Sequence, residues 1–218
     1  MQDKKLTKIY TTLFESFGPQ GWWPAKTRFE VIVGAILTQN TNWKNVEKVI
    51  AGLKKQKLLS PKALDGLSAG ELAALIRPAG YYNQKAKKLK AFLDYFEGYD
   101  FDPSKLAKED KDKLRAELLG IWGIGPETAD SILLYAFDKP VFVVDAYTQR
   151  VFSRMGFIDE KISYDDLRCL FENNMSAGLG IFKEYHALID ELAKRYCKAK
   201  PECADCPARG LCGFKSKT

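Results

Sequence analysis

The segment Leu118-Leu119-Gly120-Ile121-Trp122-Gly123-Ile124-Gly125-Pro126-Glu127-Thr128-Ala129-Asp130 joins two helical patterns through a turn rich in glycine. The first pattern ends at Leu119 and the second begins near Glu127. Gly123 and Gly125, separated by one apolar residue, permit a tight turn whose backbone N–H groups stay uncovered. Together with the N-terminus of the second helix, those groups form a site for an anion such as a phosphate. The alternative is a plain helical hairpin that needs glycine only for its bend.

Outward from this hairpin the chain reads as helical almost throughout. Leu6, Ile9, Tyr10, Leu13, Phe14 and Phe17 recur at helical spacing, as do Phe29, Ile32, Val33, Ile36 and Leu37. Val46, Val49, Ile50 and Leu53 follow Thr41 and Asn42, which are good N-cap types. Ser60-Pro61 opens a further helix, and Ser68-Ala69-Gly70-Glu71 matches a capping box before Leu72, Leu75 and Ile76. Pro78 and Gly80 end that helix, and a basic one runs from about Asn83 to Phe96. Patterns resume at Asp110–Leu119, Glu127–Phe137, Ala146–Met155, Ser163–Glu172 and Ile181–Tyr196. Val141-Phe142-Val143-Val144 has strand character but no partner nearby, so it reads as an extended connection. The expected class is all-α.

With 46% apolar and 28% charged residues, the 218-residue chain is globular rather than disordered. No stretch approaches the roughly 18 uninterrupted apolar residues of a membrane span. The N-terminus, Met1 to Leu6, lacks the apolar core of a secretory signal, and a cytoplasmic monomer is expected. Four of five cysteines, Cys197, Cys203, Cys206 and Cys212, crowd the C-terminal end as C-x5-C-x2-C-x5-C. A cytosolic chain has little use for disulfides, so these thiols are expected to hold metal. One compact loop of four thiolates suits a 4Fe–4S cluster better than zinc, which favours two separated C-x2-C knuckles. Cys169, among Leu167, Leu170 and Phe171, reads as a small buried hydrophobe.

The hairpin string and the later Val144-Asp145 resemble the signature of the endonuclease III superfamily of helix-hairpin-helix DNA glycosylases. Leu37-Thr38-Gln39-Asn40-Thr41 is similar to that family's L-x-x-Q-x-T segment, and Gly80-Tyr81-Tyr82-Asn83-Gln84-Lys85-Ala86 to its G-x-Y-N-x-K-A segment. The cysteines sit where many members carry a 4Fe–4S loop, although the first gap is one residue short. The resemblance implies two helical lobes flanking a DNA-binding groove. One is a six-helix lobe over about 25–137 that includes the hairpin at 112–136. The other comprises 1–24 with 138–196, and 197–212 forms the cluster loop. It also implies double-stranded DNA as partner, at the nucleoid.

By the same resemblance, Asp145 stabilises positive charge on the sugar as the base leaves, orients an attacking water, or does both. Its structural alternative is an N-cap for the helix opening at Ala146, and the two roles are compatible. Bifunctional members carry a lysine two residues after the second hairpin glycine, where its amine forms a Schiff base. This chain has Glu127 there, which implies a glycosylase without lyase activity. Gln39, Asn40, Tyr82, Asn83, Lys85, Gly123, Gly125, Glu127 and Thr128 match DNA-contacting positions. Gln39 and Asn40 match those that fill the gap left by the extruded nucleotide, with capping or bridging as the alternative.

Trp22-Trp23-Pro24 and Trp43 are most similar to the 3-methyladenine DNA glycosylase III branch, which implies that they surround the flipped base. Aromatic faces favour a cationic alkylated purine, a good leaving group needing little acid assistance. Core packing is the alternative for either Trp22 or Trp23. The branch also has a pocket lysine near its C-terminal end, for which Lys198 is the nearest candidate. A glycosylase for oxidised or deaminated pyrimidines, and a non-catalytic DNA-binding or redox-sensing module, remain competing readings. His186, the only histidine, reads as a satisfied structural residue.

The net charge of +6 is concentrated in two places. Residues 191–218 carry Lys194, Arg195, Lys198, Lys200, Arg209, Lys215 and Lys217 against Glu191, Glu202 and Asp205, a net +4. Residues 83–95 carry Lys85, Lys87, Lys88 and Lys90 against Asp94, a net +3. Both are expected to face phosphates, the bland alternative being a solvated helix surface.

Overall fold

A computed structural model of the chain describes residues 2–175 and 178–214, and among them every regular element is helical. No helix among the described residues is long and apolar enough to cross a membrane. The chain divides into two compact units, Ala25–Lys139 and the pair Met1–Pro24 with Pro140–Thr218.

The Ala25–Lys139 unit is built on α2 (Arg28–Thr38), whose residues from Phe29 to Leu37 are all buried. Thr27 caps it by accepting from Glu30 N, and Lys54 compensates the buried Glu30 carboxylate at 2.5 Å. Helix α3 (Trp43–Lys55) starts at the Asn42 cap and turns Val46, Val49, Ile50 and Leu53 inward. The short α4 (Pro61–Asp65) follows the Ser60 cap. The capping box of Ser68 and Glu71 opens α5 (Ala69–Leu75), as its sequence requires.

Arg77–Ala79 then forms a 3-10 turn, and α6 (Tyr82–Glu97) leaves from Tyr81 in the left-handed region, at φ 47°. The short α7 (Pro103–Lys108) precedes α8 (Lys111–Gly120) and α9 (Pro126–Ser131), the two arms of the hairpin. Beyond Ser131 the second arm widens into a π turn, Ile132–Ala136, whose residues are all buried. The unit thus holds eight α-helices, α2 to α9, besides the 3-10 and π turns, where the resemblance implies six; the short α7 is the one for which the sequence reading gives no helical pattern.

The other unit packs α1 (Gln2–Phe17) with α10 (Ala146–Arg154), α11 (Tyr164–Asn174) and α12 (Leu179–Arg195). Leu6, Ile9 and Leu13 bury one face of α1, and Leu6 O accepts from Tyr185 Oη at 3.0 Å. The segment Val141–Val144 is fully buried yet belongs to no strand. Side chains replace the missing ladder: Phe142 N donates to Glu172 Oε1 at 2.9 Å and Val144 N to Tyr164 Oη at 3.4 Å. Phe142 stacks on Phe171 at 3.9 Å between centroids, and Phe152, Phe182 and Tyr185 close the cluster edge-on. This buried segment ends at Asp145, so the aromatic cluster fixes where that carboxylate emerges. Cys169 is only half-buried on α11, because its helical position faces the rim of this core rather than its centre.

Phe171→Ala should destabilise the protein by about 3–5 kcal/mol, the usual cost of emptying a buried aromatic site. Urea unfolding should show a lowered midpoint at unchanged slope.

Candidate functional site

Three constellations stand out, one in the Ala25–Lys139 unit and two in the other. In the first, Gly123 holds φ +84°, and a Cβ there would lie 2.5 Å from Lys88 Cγ, so any other residue would strain the backbone and displace Lys88. Gly125 does not need its freedom: its φ is −93° and nothing lies within 4 Å of where its Cβ would be. That open space at the exposed start of α9 leaves room for a ligand to approach the backbone.

Gln39 braces this turn. Its amide Nε2 donates to Gly123 O at 3.1 Å and to Thr128 Oγ1 at 2.9 Å, while Lys88 Nζ donates to its Oε1. The hairpin arms are clamped by Arg115, whose Nε and Nη2 reach the fully buried Asp130 at 2.7 and 3.1 Å.

Several expected DNA contacts therefore need correcting. Thr128 is buried and turned towards Gln39 rather than outward. Gln39 bridges helices, which leaves Asn40, exposed at φ 52°, as the outward residue of the pair. Lys85 is 2% exposed and donates to Ala79 O at 2.8 Å, so it cannot present a charge at the surface. Lys88 faces Gln39 and Lys90 pairs with Asp65 at 3.1 Å, so only Lys87 of the four α6 lysines is exposed. The α6 lysines thus do not form a phosphate-binding face. Tyr82 is half-buried against Arg77, while Asn83 and Glu127 are exposed.

The surface here carries two aromatics to which the sequence reading gave no role, Tyr81 at 71% and Trp122 at 56% exposure. With Asn40, Gln84, Lys88 and Gly123 they line a cavity of about 370 Å³. The left-handed backbone at Tyr81, invisible in composition, is what turns that ring outward instead of Tyr82.

The second constellation centres on Asp145. The carboxylate caps α10: Oδ1 accepts from Thr148 N at 2.7 Å and from Thr148 Oγ1 at 2.8 Å. The other oxygen, Oδ2, lies 3.8 Å from His186 Nε2. Burial works to raise the Asp145 pKa, but His186 and the two Thr148 donors outweigh it and hold the group below the usual carboxylate range. His186 meets the edge of Trp22 at 5.7 Å, and Trp22 meets Trp23 edge-on at 6.1 Å. Both tryptophans are half-buried, so they are not core residues, and Pro24 is exposed.

Lys194 stands over the Trp22 ring at 5.4 Å and pairs with Asp190 at 2.5 Å. Lys198, in contrast, pairs with Glu202 at 2.7 Å within the cysteine loop, so the lysine beside Trp22 is Lys194. Trp43 belongs to the Ala25–Lys139 unit, where its Nε1 donates to Glu47 at 2.8 Å.

The third constellation is the C-terminal loop, where Cys197, Cys203, Cys206 and Cys212 line one cavity above Val151, Met155 and Leu192. Burial raises the Cys206 and Cys212 thiols, and the neighbouring cysteines add to it. Arg154 laces the loop to α10, donating to Cys197 Sγ at 3.4 Å, Lys198 O at 2.5 Å and Ala199 O at 3.1 Å; Arg150 donates to Cys197 O at 2.8 Å. Among the described residues no three His, Cys, Asp or Glu side chains are arranged to hold a metal ion. Four sulfurs around one apolar hollow fit a cubane cluster, which takes one thiolate on each of four irons. The basic residues here are mostly paired, Arg195 with Glu191 and Lys198 with Glu202, and Lys215 and Lys217 lie outside the described residues.

Residues 33–176 match the family described as HhH-GPD superfamily base excision DNA repair protein. The chain belongs to the HhH-GPD superfamily. As a member it is a DNA glycosylase of base excision repair. A Methanocaldococcus jannaschii protein provisionally named a DNA repair glycosylase is 53% identical, over 94% of both chains. The endonuclease III of Sulfolobus acidocaldarius is 31% identical over 87% of this chain and 84% of its own. Among solved structures, Helicobacter pylori 3-methyladenine DNA glycosylase bound to 1,N6-ethenoadenine superimposes with a TM-score of 0.77 at 29% identity. That match covers 89% of this chain and 97% of the other.

In this HhH-GPD chain the buried Lys85 has a thermodynamic consequence. Desolvation, with the Lys88 charge adding to it, lowers its pKa from 10.5 to about 8. Between those values the unfolded chain holds a proton that the folded one has released, so stability rises with pH across that window. Melting temperatures taken from pH 7 to 10 should show this rise in the wild type and lack Lys85's share of it in Lys85→Met.

Proposed function

We propose that this chain is a monofunctional glycosylase that flips a damaged base out of double-stranded DNA. It hydrolyses the N-glycosidic bond and leaves an abasic site, with an N-alkylated purine such as 3-methyladenine as its substrate class. The arrangement around Asp145 carries the reading: one oxygen is tied to Thr148, while the other shares a patch with His186 and the Trp22 ring. As the bond from sugar to base breaks, its electron pair leaves with the base and positive charge develops on the sugar. An ionised carboxylate stabilises that charge, and the depressed pKa of Asp145 keeps it ionised. Water then adds to the sugar and gives up its proton, for which Oδ2 is the available acceptor.

The substrate class follows from the tryptophans and from leaving-group chemistry. A purine alkylated on a ring nitrogen is cationic and departs as a neutral base, so no general acid is needed. Lys194 already covers one face of Trp22, so cation–π attraction for such a base rests on the opposite face and on Trp23. The similar Helicobacter enzyme is named for 3-methyladenine, which supports the same class. The kinship with endonuclease III favours oxidised or deaminated pyrimidines as the second reading. Glu127, exposed at the start of α9, cannot form the Schiff base that lyase activity requires. The uncovered backbone at Gly125, with Asn40 and Asn83 exposed in the same unit, would engage the phosphates and the gap in the duplex.

Cys197, Cys203, Cys206 and Cys212 would hold a 4Fe–4S cluster, whose iron–thiolate bonds cross-link the loop when it is bound. Arg150 and Arg154 bind the carbonyls of Cys197, Lys198 and Ala199 and so tie the start of the loop to α10. The protein is proposed to act on DNA at the nucleoid, as a monomer.

Asp145→Asn should abolish excision from duplexes carrying 3-methyladenine or 7-methylguanine while leaving DNA affinity nearly unchanged; full activity would sink the assignment. Borohydride should trap no covalent adduct with wild-type protein, and alkali should be needed to convert released bases into strand breaks. Anaerobically prepared protein should show visible iron–sulfur absorbance that Cys203→Ser loses, and stoichiometric zinc in its place would overturn the cluster.

A further inference from the structure

Two buried polar residues of α12 and one exposed lysine form a circuit that the glycosylase reading leaves unused. His186, Asp190 and Lys194 recur every fourth residue and so share one helix face. His186, 5% exposed, faces Asp145 Oδ2 at 3.8 Å on one side and the Trp22 edge at 5.7 Å on the other. Lys194 returns from the Trp22 face to Asp190, one turn beyond His186. One imidazole therefore touches both the carboxylate and the ring proposed to border the flipped base. At 3.8 Å its nitrogen is beyond a direct hydrogen bond, close enough to act through a bridging water or a small approach.

We propose that His186 is a positioning residue that fixes Asp145 Oδ2 and the Trp22 ring in one relative geometry, so that base capture and sugar-charge stabilisation occur in register. The need for such a part follows from the cap. Thr148 restrains only Oδ1, which leaves the carboxylate free to swing Oδ2 about that anchor. The Trp22 ring likewise lies only half-buried, with Lys194 over one face and edge contacts to Trp23 and His186. A group contacting both removes the two freedoms at once. Asp190 and Lys194 hold the circuit from behind, the lysine neutralising a second buried carboxylate so that it does not compete with Asp145. The proposal rests on the reading that Asp145 is the catalytic carboxylate and that Trp22 borders the base.

The test compares His186→Gln, which keeps a side-chain nitrogen at similar reach, with His186→Phe, which keeps only a ring against Trp22. Under single turnover, His186→Phe should lose about 10- to 100-fold in excision rate, with duplex affinity within about threefold of wild type. His186→Gln should recover most of that loss. Equal rates in wild type and His186→Phe would overturn the proposal, as would equal impairment of the Gln and Phe variants. Should His186→Phe fail to fold, His186→Leu takes its place in the comparison.

A second readout does not depend on the lesion. Duplex carrying a cationic pyrrolidine in place of one sugar mimics the developing charge and should bind more tightly than its neutral tetrahydrofuran counterpart. That preference should shrink in His186→Phe and return in His186→Gln. If the wild type excises no alkylated purine yet shows the preference, the substrate reading fails while His186 is still tested. A preference unchanged in His186→Phe overturns the proposal itself.

Discussion

Asp145 commits one carboxylate oxygen to the N-terminus of α10 and keeps the other. The pair of bonds from Thr148 to Oδ1 does three things at once. It satisfies helix-end donors that would otherwise lack partners, joins His186 in offsetting the burial that would protonate the acid, and leaves Oδ2 uncommitted to the helix. A cap and a catalytic group are usually discussed as alternatives for an aspartate. Here the cap and His186 together keep the carboxylate ionised, while the cap anchors only one of its oxygens. The aromatic cluster behind Val141–Val144 supplies the rigid base from which this happens, since Phe142 cannot move without unstacking from Phe171.

The hairpin follows the same logic on a different scale. Its outer rim at Gly125 stays bare, while its inner face is held by side chains of α2, of α6 and of the arms themselves. Gln39 comes from the end of α2, Lys88 from α6, and the Arg115–Asp130 pair from the two arms. A flexible glycine turn would lose conformational entropy on binding an anion; one braced in advance loses less. Rigidity of the inner face would therefore serve the phosphate binding proposed for the outer one.

The cysteine loop depends least on regular structure. Its backbone is held by arginines of α10 reaching into loop carbonyls and by the turns between successive cysteines. The same helix is capped by Asp145 at one end and laced to the cysteines near the other. The loop and the carboxylate of Asp145 are thus both tied to one helix.

What the sequence determined by itself was local. Helical periodicity, the Ser68–Glu71 box, the Asn42 and Asp145 caps and the four-cysteine spacing are written in residues a few positions apart, where short-range sterics and hydrogen bonds decide the outcome. The hairpin and its family kinship were legible for the same reason. Which way a side chain faces was not. Lys85 and Lys87 are neighbours of equal charge, yet one is buried against Ala79 O and the other exposed, because the packing of α6 assigns its faces. Gln39 and Asn40 part company through a left-handed backbone at Asn40, and Tyr81 outranks Tyr82 at the surface through another. His186 looked like a satisfied structural residue until folding set it between Asp145 and Trp22, positions 41 and 164 residues away in sequence. Contacts over such separations are created by tertiary packing, which no local propensity encodes.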